Sequence, residues 1–182
     1  MTNEAASDLP DEEDHVEATG AVLHLAALSE REVEASAPER AVVVPVLETA
    51  DGPRFVLAMW PDWPHPTMLS LAPPVGDDTL EAAAADLVRA RLHLDATGPA
   101  RMSESRIPVR MSSPRVGAQT TGWLRSVLQP VSGEPEVDLL LAGFEVYSLD
   151  EALAALSTEV ERMALQAAAD TAGFRPEDSS GG

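Results

Sequence analysis

Apolar residues in this chain follow two different periods, and the switch between them outlines the fold. Residues 41–47 (AVVVPVL) form a continuous apolar run of strand length, and Pro45 within it predicts an edge position or a bulge. Asp51-Gly52 is a hairpin signal leading into a second strand over residues 54–59. Residues 22–28 and 30–35 are shorter strand candidates on either side of Ser29. Pro61, Pro64, Pro66, Pro73 and Pro74 then hold residues 60–75 in turns and extended pieces. The period becomes helical at Leu80, Ala84, Leu87 and Val88, with Leu92 and Leu94 following. Asp77 or Asp78 is the expected cap of this helix, and Gly98-Pro99 its expected end. Strands are predicted over 106–111, 122–131 and 139–146, with Gly133-Glu134-Pro135 turning between the last two. Ser148-Leu149-Asp150-Glu151 is a capping box that opens a second helix. Its stripe of Leu149, Leu153, Leu156, Val160, Met163 and Ala167 is long enough to pack on the sheet or to pair with a partner helix. Packing on its own sheet is the commoner use.

This order of elements predicts one α/β domain, a mixed β-sheet flanked by helices. The 182 residues, 45% of them hydrophobic, suffice for a single core. Residues 1–18 carry seven acids and no base, which predicts a disordered acidic tail ahead of a domain over 19–173. Residues 174–182 are the second expected tail. Net charge is -19, a field that repels phosphate backbones and anionic membranes, so neither nucleic acid nor a membrane is an expected partner. All 12 basic residues are arginine, a bias that reads as genome composition. There is no cysteine, hence no disulfide or thiolate metal site. The apolar runs 41–47 and 137–144 are too short to span a bilayer, and no basic segment precedes an apolar stretch at the N-terminus. A cytoplasmic protein is the expectation.

Residues 76–94 (GDDTLEAAAADLVRARLHL) resemble the catalytic helix of the Nudix hydrolases. That family's motif runs Gly, five residues, Glu, seven residues, Arg-Glu, an apolar residue, any residue, Glu-Glu, any residue, Gly. A carboxylate followed by others three and four positions later puts all three on one helix face, where they hold divalent cations. Here Asp77 falls on the first Glu and Asp86 on the Glu of Arg-Glu, with Leu87 matching the apolar residue. Arg89 and Ala90 stand where the Glu pair belongs, Ala85 replaces the arginine and Leu92 the glycine. Pro74 lies where the loop glycine would be, in a loop about two residues too short for the motif. Exchanging Glu for Arg moves the local charge by two units, and Arg89 is spaced to pair with Asp86 instead. The resemblance extends over about residues 20–170. APERAVVVPVL (37–47), then a hairpin, then the motif helix follow the layout of the ADP-ribose pyrophosphatase branch, and EVYSLDEALAAL (145–156) is similar to the passage closing many Nudix domains.

The resemblance implies a Nudix fold whose metal-dependent pyrophosphohydrolysis is impaired or lost, with a nucleotide-type small molecule or a protein as residual ligand. The rival it leaves open is an active hydrolase of nucleoside diphosphate derivatives. That rival would use Mg2+ or Mn2+ on Asp77 and Asp86, with Glu145 as a further base or ligand. Under either reading, a Nudix fold implies that Arg106, Arg110, Arg115 and Arg125 face an anionic ligand, with Trp60, Trp63 or Trp123 stacking on a base. The plainer reading, which the spacing favours, makes Arg106 and Arg110 solvent-facing strand residues. His15, His24, His65 and His93 lack metal-ligand spacing and read as ordinary histidines. The ADP-ribose branch also implies a homodimer, here through residues 22–35. A structural interaction protein working through the 149–167 stripe is the remaining alternative.

Overall fold

The continuous apolar run identified in the sequence is the central strand of the sheet. The computed structural model describes residues 24–61, 63–71, 79–112 and 119–175. They form one mixed sheet, with β1 (His24–Ala27), β2 (Glu39–Thr49), β3 (Gly52–Met59), β4 (Leu69–Leu71), β5 (Asp95–Ala96), β6 (Arg101–Met102), β7 (Ile107–Ser112), β8 (Gln119–Ser132) and β9 (Gly143–Tyr147). The order across the sheet is β1-β7-β8-β2-β3-β9, with β4 on β2, and β5 and β6 on β8. β2 runs parallel to β8 from Glu39↔Trp123 to Leu47↔Val131, and its other contacts are antiparallel.

Pro45 is not at an edge. On the side away from β8, β4 covers Ala41–Val43 and β3 begins at Val46, so Pro45 falls in the interval between two partners. A residue without an amide N–H is tolerated there because that ladder is interrupted. Ala50 and Asp51 form the hairpin loop, and Gly52 adopts the φ of 106° that the turn requires.

Helices cover both faces. α1 (Leu80–Leu92) buries Ala84, Leu87, Val88 and Leu92 against Ala41, Val43, Val56, Ala58, Val127 and Val131. α2 (Leu149–Ala155) and α3 (Glu159–Thr171) cover the other face, where Val42, Val44, Val46, Phe55, Leu57, Leu124 and Leu128 point. Each fully buried Leu or Val contributes about 1.5–3 kcal/mol, so this two-sided burial dominates stability. The α/β class, the mixed sheet and the flanking helices agree with the sequence expectation.

Several local expectations are corrected. Residues 30–35 are not a strand. Ser29 and Glu32 form a capping box around a 3-10 turn at Glu30–Glu32, with the Ser29 N–H donating to Glu32 Oε2 at 2.7 Å. α1 is capped by Thr79, whose Oγ1 accepts from the Ala82 N–H at 3.1 Å, and Asp77 and Asp78 lie outside the described residues. It ends at Leu92, well before Gly98, because His93 takes a left-handed conformation with φ 55°. The strand expected over 139–146 starts only at Gly143, since Leu139 and Leu140 form an exposed turn. The long helix from Leu149 is two helices. Leu156 leaves the helical region at ψ 136°, and Thr158 caps α3 by accepting from the Glu161 N–H. The 149–167 stripe is therefore broken, and Met163 faces solvent. Phe174, assigned to a tail, packs edge-on against Phe55 at 6.1 Å. The acidic stretch 1–18 lies outside the described residues, within which no helix is long and apolar enough to cross a membrane.

The capping box at Ser148 is present as expected. The Ser148 N–H donates to Glu151 Oε2 at 2.8 Å, and Ser148 Oγ accepts from the Glu151 N–H. The backbone N–H and hydroxyl of Ser148 hold the Glu151 carboxyl below the ordinary glutamate range. Ser148→Ala is expected to cost about 1 kcal/mol in urea unfolding. A depressed carboxylate contributes stability above its unfolded-state pKa and loses it as pH falls through the folded value. The stability advantage of wild type over Glu151→Gln should therefore vanish on acidification through the carboxylate range. An advantage that persists at low pH would count against this cap.

Candidate functional site

The face of α1 that carries the motif positions is built by exclusion. Its apolar stripe is committed to the sheet, which leaves Asp86, Arg89 and Ala90 together on the exposed side. These are positions i, i+3 and i+4, the spacing a metal-binding carboxylate face uses. Asp86 meets no cation or hydrogen-bond donor among the described residues. Arg89 does not pair with it, contrary to expectation. Its Nη2 turns past the helix end to Asp95 Oδ1 at 3.2 Å, and both side chains are largely exposed. An exposed pair of this kind contributes about 0–1 kcal/mol. Residue 95 is reachable because the left-handed His93 folds the chain back beside the last turn of α1.

Hard divalent cations need several convergent oxygen ligands. Among the described residues, no group of three or more Asp, Glu or His side chains converges in that way. Asp86 beside an arginine and an alanine does not fit such a cation, and Asp77 lies outside the described residues.

Of the other residues singled out from the sequence, Glu145 does not reach this face, whereas Arg110 and Arg125 lie by register on the α1 side of the sheet. Glu145 is exposed on β9 and pairs with Leu57, which points into the core beneath α2 and α3. Paired residues share a face, so Glu145 is on the opposite side of the sheet from α1. It is also at the opposite end of the strand order from Arg110, four strand spacings or about 19 Å away. Arg110 is exposed on β7 between Ala26 and Thr121, and Arg115 lies outside the described residues.

Arg106 is engaged structurally. Its guanidinium stacks 3.9 Å from the centre of the Trp123 ring and donates to the Ala35 carbonyl at 3.4 Å. It also lies 4.0 Å from Glu39, which sits 2.6 Å from Arg125 Nε. That Nε–H is not aimed at the carboxylate, so the second pair is a close charge contact without a formed hydrogen bond. Trp123 is buried and donates its Nε1–H to the Glu34 carbonyl at 2.8 Å. Together these contacts fasten residues 34–39 to β7 and β8. Trp63 stands edge-on to His65, and Trp60 packs on the core beneath α1.

Two polar anchors were not anticipated. Glu161 is buried, with Oε1 accepting from Thr67 Oγ1 at 2.7 Å and Oε2 from Thr158 Oγ1 at 3.0 Å. It ties α3 to the proline-rich segment, and the Thr158-x-x-Glu161 spacing was a legible sign of a helix start. The second anchor is Arg91 Nη1 on Asp138 Oδ2 at 2.7 Å, with side-chain exposures of 11% and 17%. Asp138 Oδ1 also accepts the N–H groups of Leu140 and Leu141. The N–H groups of Glu136 and Asp138 in turn donate to the Leu92 and Arg91 carbonyls. The C-terminus of α1 is thereby sealed against residues 133–142.

No known family's sequence pattern matches this chain, and no curated protein sequence does. The fold does have solved counterparts. An Ap4A hydrolase from C. elegans, in a binary complex, superposes with a TM-score of 0.54 at 15% identity, covering 75% of this chain and 99% of the other. The NUDIX domain of Shewanella oneidensis NrtR, complexed with ADP ribose, gives 0.52 at 9% identity, covering 79% and 92%. The Nudix hydrolase RenU from M. smegmatis gives 0.52 at 15% identity, covering 76% and 88%. The chain has the Nudix fold.

The two ion pairs on α1 should differ sharply in weight. Asp138→Ala removes a short, half-buried charge-assisted hydrogen bond and two turn contacts, with an expected cost of about 2 kcal/mol. Arg89→Ala breaks an exposed pair and should cost under about 0.5 kcal/mol. Denaturant melts of the two variants check this, and equal losses would refute the assignment of Arg91–Asp138 as the anchor.

Proposed function

We propose that this Nudix-fold protein is impaired in metal-dependent pyrophosphohydrolysis and retains a binding role, toward a nucleotide-type ligand or a protein partner. The observation that carries the reading is the outer face of α1. Where the motif has adjacent glutamates, this chain has Arg89 directed at Asp95, and Ala90. A face that would gather a dication instead presents a guanidinium, a fixed cation whose N–H fork suits phosphate oxygens. Its only partner among the described residues is an exposed aspartate, which an incoming diphosphate can displace at little cost.

Likeness of fold to an Ap4A hydrolase and to an ADP-ribose-bound domain favours a nucleoside diphosphate derivative as the ligand class. The same likeness sustains the rival, an active hydrolase of such compounds with a rebuilt metal site. Against the rival stands Glu145, which belongs to the other face of the sheet. Assays with ADP-ribose, dinucleoside polyphosphates and nucleoside triphosphates, in magnesium or manganese, decide between them. Turnover on the order of 1 per second would establish the rival. The expected outcome is no turnover on that scale. ADP-ribose binding should survive EDTA and weaken about tenfold in Arg89→Ala.

The double change Arg89→Glu, Ala90→Glu would place three carboxylates at i, i+3 and i+4 on the exposed face with Asp86. A gain of measurable magnesium or manganese binding by titration calorimetry is expected. No gain would mean that the helix face does not correspond to the motif.

A further inference from the structure

The outer face of α3 is complementary to itself. Val160, Ala164, Leu165, Ala168 and Ala169 turn toward the sheet. Arg162, Met163, Gln166, Ala167 and Asp170 fall on the opposite arc, about 140° wide at 100° per residue. Between this face and residues 101–105 runs an open groove of about 1030 Å³, with Leu153 among its lining residues. Met163 is 46% exposed and Met102 42%, so two of the five exposed large apolar side chains among the described residues border one groove. Methionine fills irregular contacts well, which suits a packed occupant.

The charges identify the occupant. Arg162 lies four residues before Gln166 and Asp170 four after. Two copies of α3 packed antiparallel about a two-fold axis at Gln166 bring Arg162 of each against Asp170 of the other. Both groups are already positioned. Arg162 Nη1 donates to the Leu156 carbonyl at 2.9 Å, and Asp170 Oδ1 accepts from Gln166 Nε2 at 2.9 Å, leaving further guanidinium N–H groups and Oδ2 for a partner. Glu159, the next acid back along the arc, would project past the end of the facing helix at Thr171. The far wall adds Arg101 and Glu104, so the groove is locally neutral in a chain of net charge -19. A net charge of that size opposes self-association in general, and a neutral groove escapes the local part of that repulsion.

We infer that the chain forms a homodimer through this groove, α3 against α3. Light scattering or sedimentation of the full chain, from about 1 to 100 µM, should show a species of twice the 19.3 kDa chain mass. Arg162→Asp and Asp170→Arg should each weaken dimerisation about tenfold or more, because each sets like charges together. An equimolar mixture of the two variants should dimerise again, since each then supplies the charge the other lacks. Asp170→Arg, at the exposed end of α3, keeps the test open if Arg162→Asp loses folding with its contact to Leu156. Circular dichroism establishes that each variant is folded. A monomer at every concentration, a dimer indifferent to the single changes, or folded variants whose mixture stays monomeric would each overturn the inference.

Discussion

The pairing of β2 with β8 is the constraint on which the rest of the molecule depends. Nine consecutive residue pairs run parallel between them, and β2 is buried on both faces over its middle six positions. A strand in that position cannot alternate apolar with polar residues, because neither side meets water. Hence the unbroken run at 41–46, and hence helices on both faces, since either surface left bare would expose a row of valines. The parallel pairing also forces a long crossover between β2 and β8. That crossover carries the hairpin, the proline-rich segment, α1 and β5 to β7.

Pro45 shows how β2 serves two partners on one side. β3 leaves it beyond Val46 to pair with β9, and β4 takes up Ala41 to Val43. The divergence opens the sheet, and Thr67, bridged to Ala58, lies in the opening. The buried Glu161 carboxylate holds Thr67 from α3 and is met by hydroxyls rather than by a cation. A buried carboxylate without such donors would carry a penalty of several kcal/mol. Thr67, Ser157, Thr158 and Glu161 therefore act as one polar clamp across the gap.

Signals confined to a few neighbouring residues were legible in the sequence. Asp51-Gly52 turned where expected, and Ser148 and Glu151 capped each other, because those geometries are decided within four residues. The α/β layering was legible too, since period reflects burial. What remained hidden depends on distant partners. Whether Glu145 faces α1 or α3 is set by its register against Leu57, and a one-residue slip would reverse it. Arg89 was spaced for Asp86, yet Asp95 captured it once His93 turned the chain back. Arg106 read as a solvent-facing strand residue or a ligand contact, and its stacking on a buried tryptophan from β8 had no local signal. The break between α2 and α3 was hidden by a stripe that continues through it, although Ser157-Thr158 ahead of Glu161 marked a new helix start.

The same separation of local from distant constraints explains how one helix can hold the fold whatever its outer face carries. The inward side of α1 is held by Leu87, Val88 and Leu92, and its end by Arg91 on Asp138. A change at any of these removes buried contacts and costs about 2 kcal/mol or more, a large fraction of the whole stability of a domain. The outward side carries Asp86, Arg89 and Ala90, where substitutions shift stability by tenths of a kcal/mol. An active face and a scaffold can thus share one helix while only one of them is constrained by folding. Nothing in the energetics of the helix requires glutamates on the outer face. Arginine in the last turn is even favoured by the helix dipole, so Arg89 suits the helix on its exposed side.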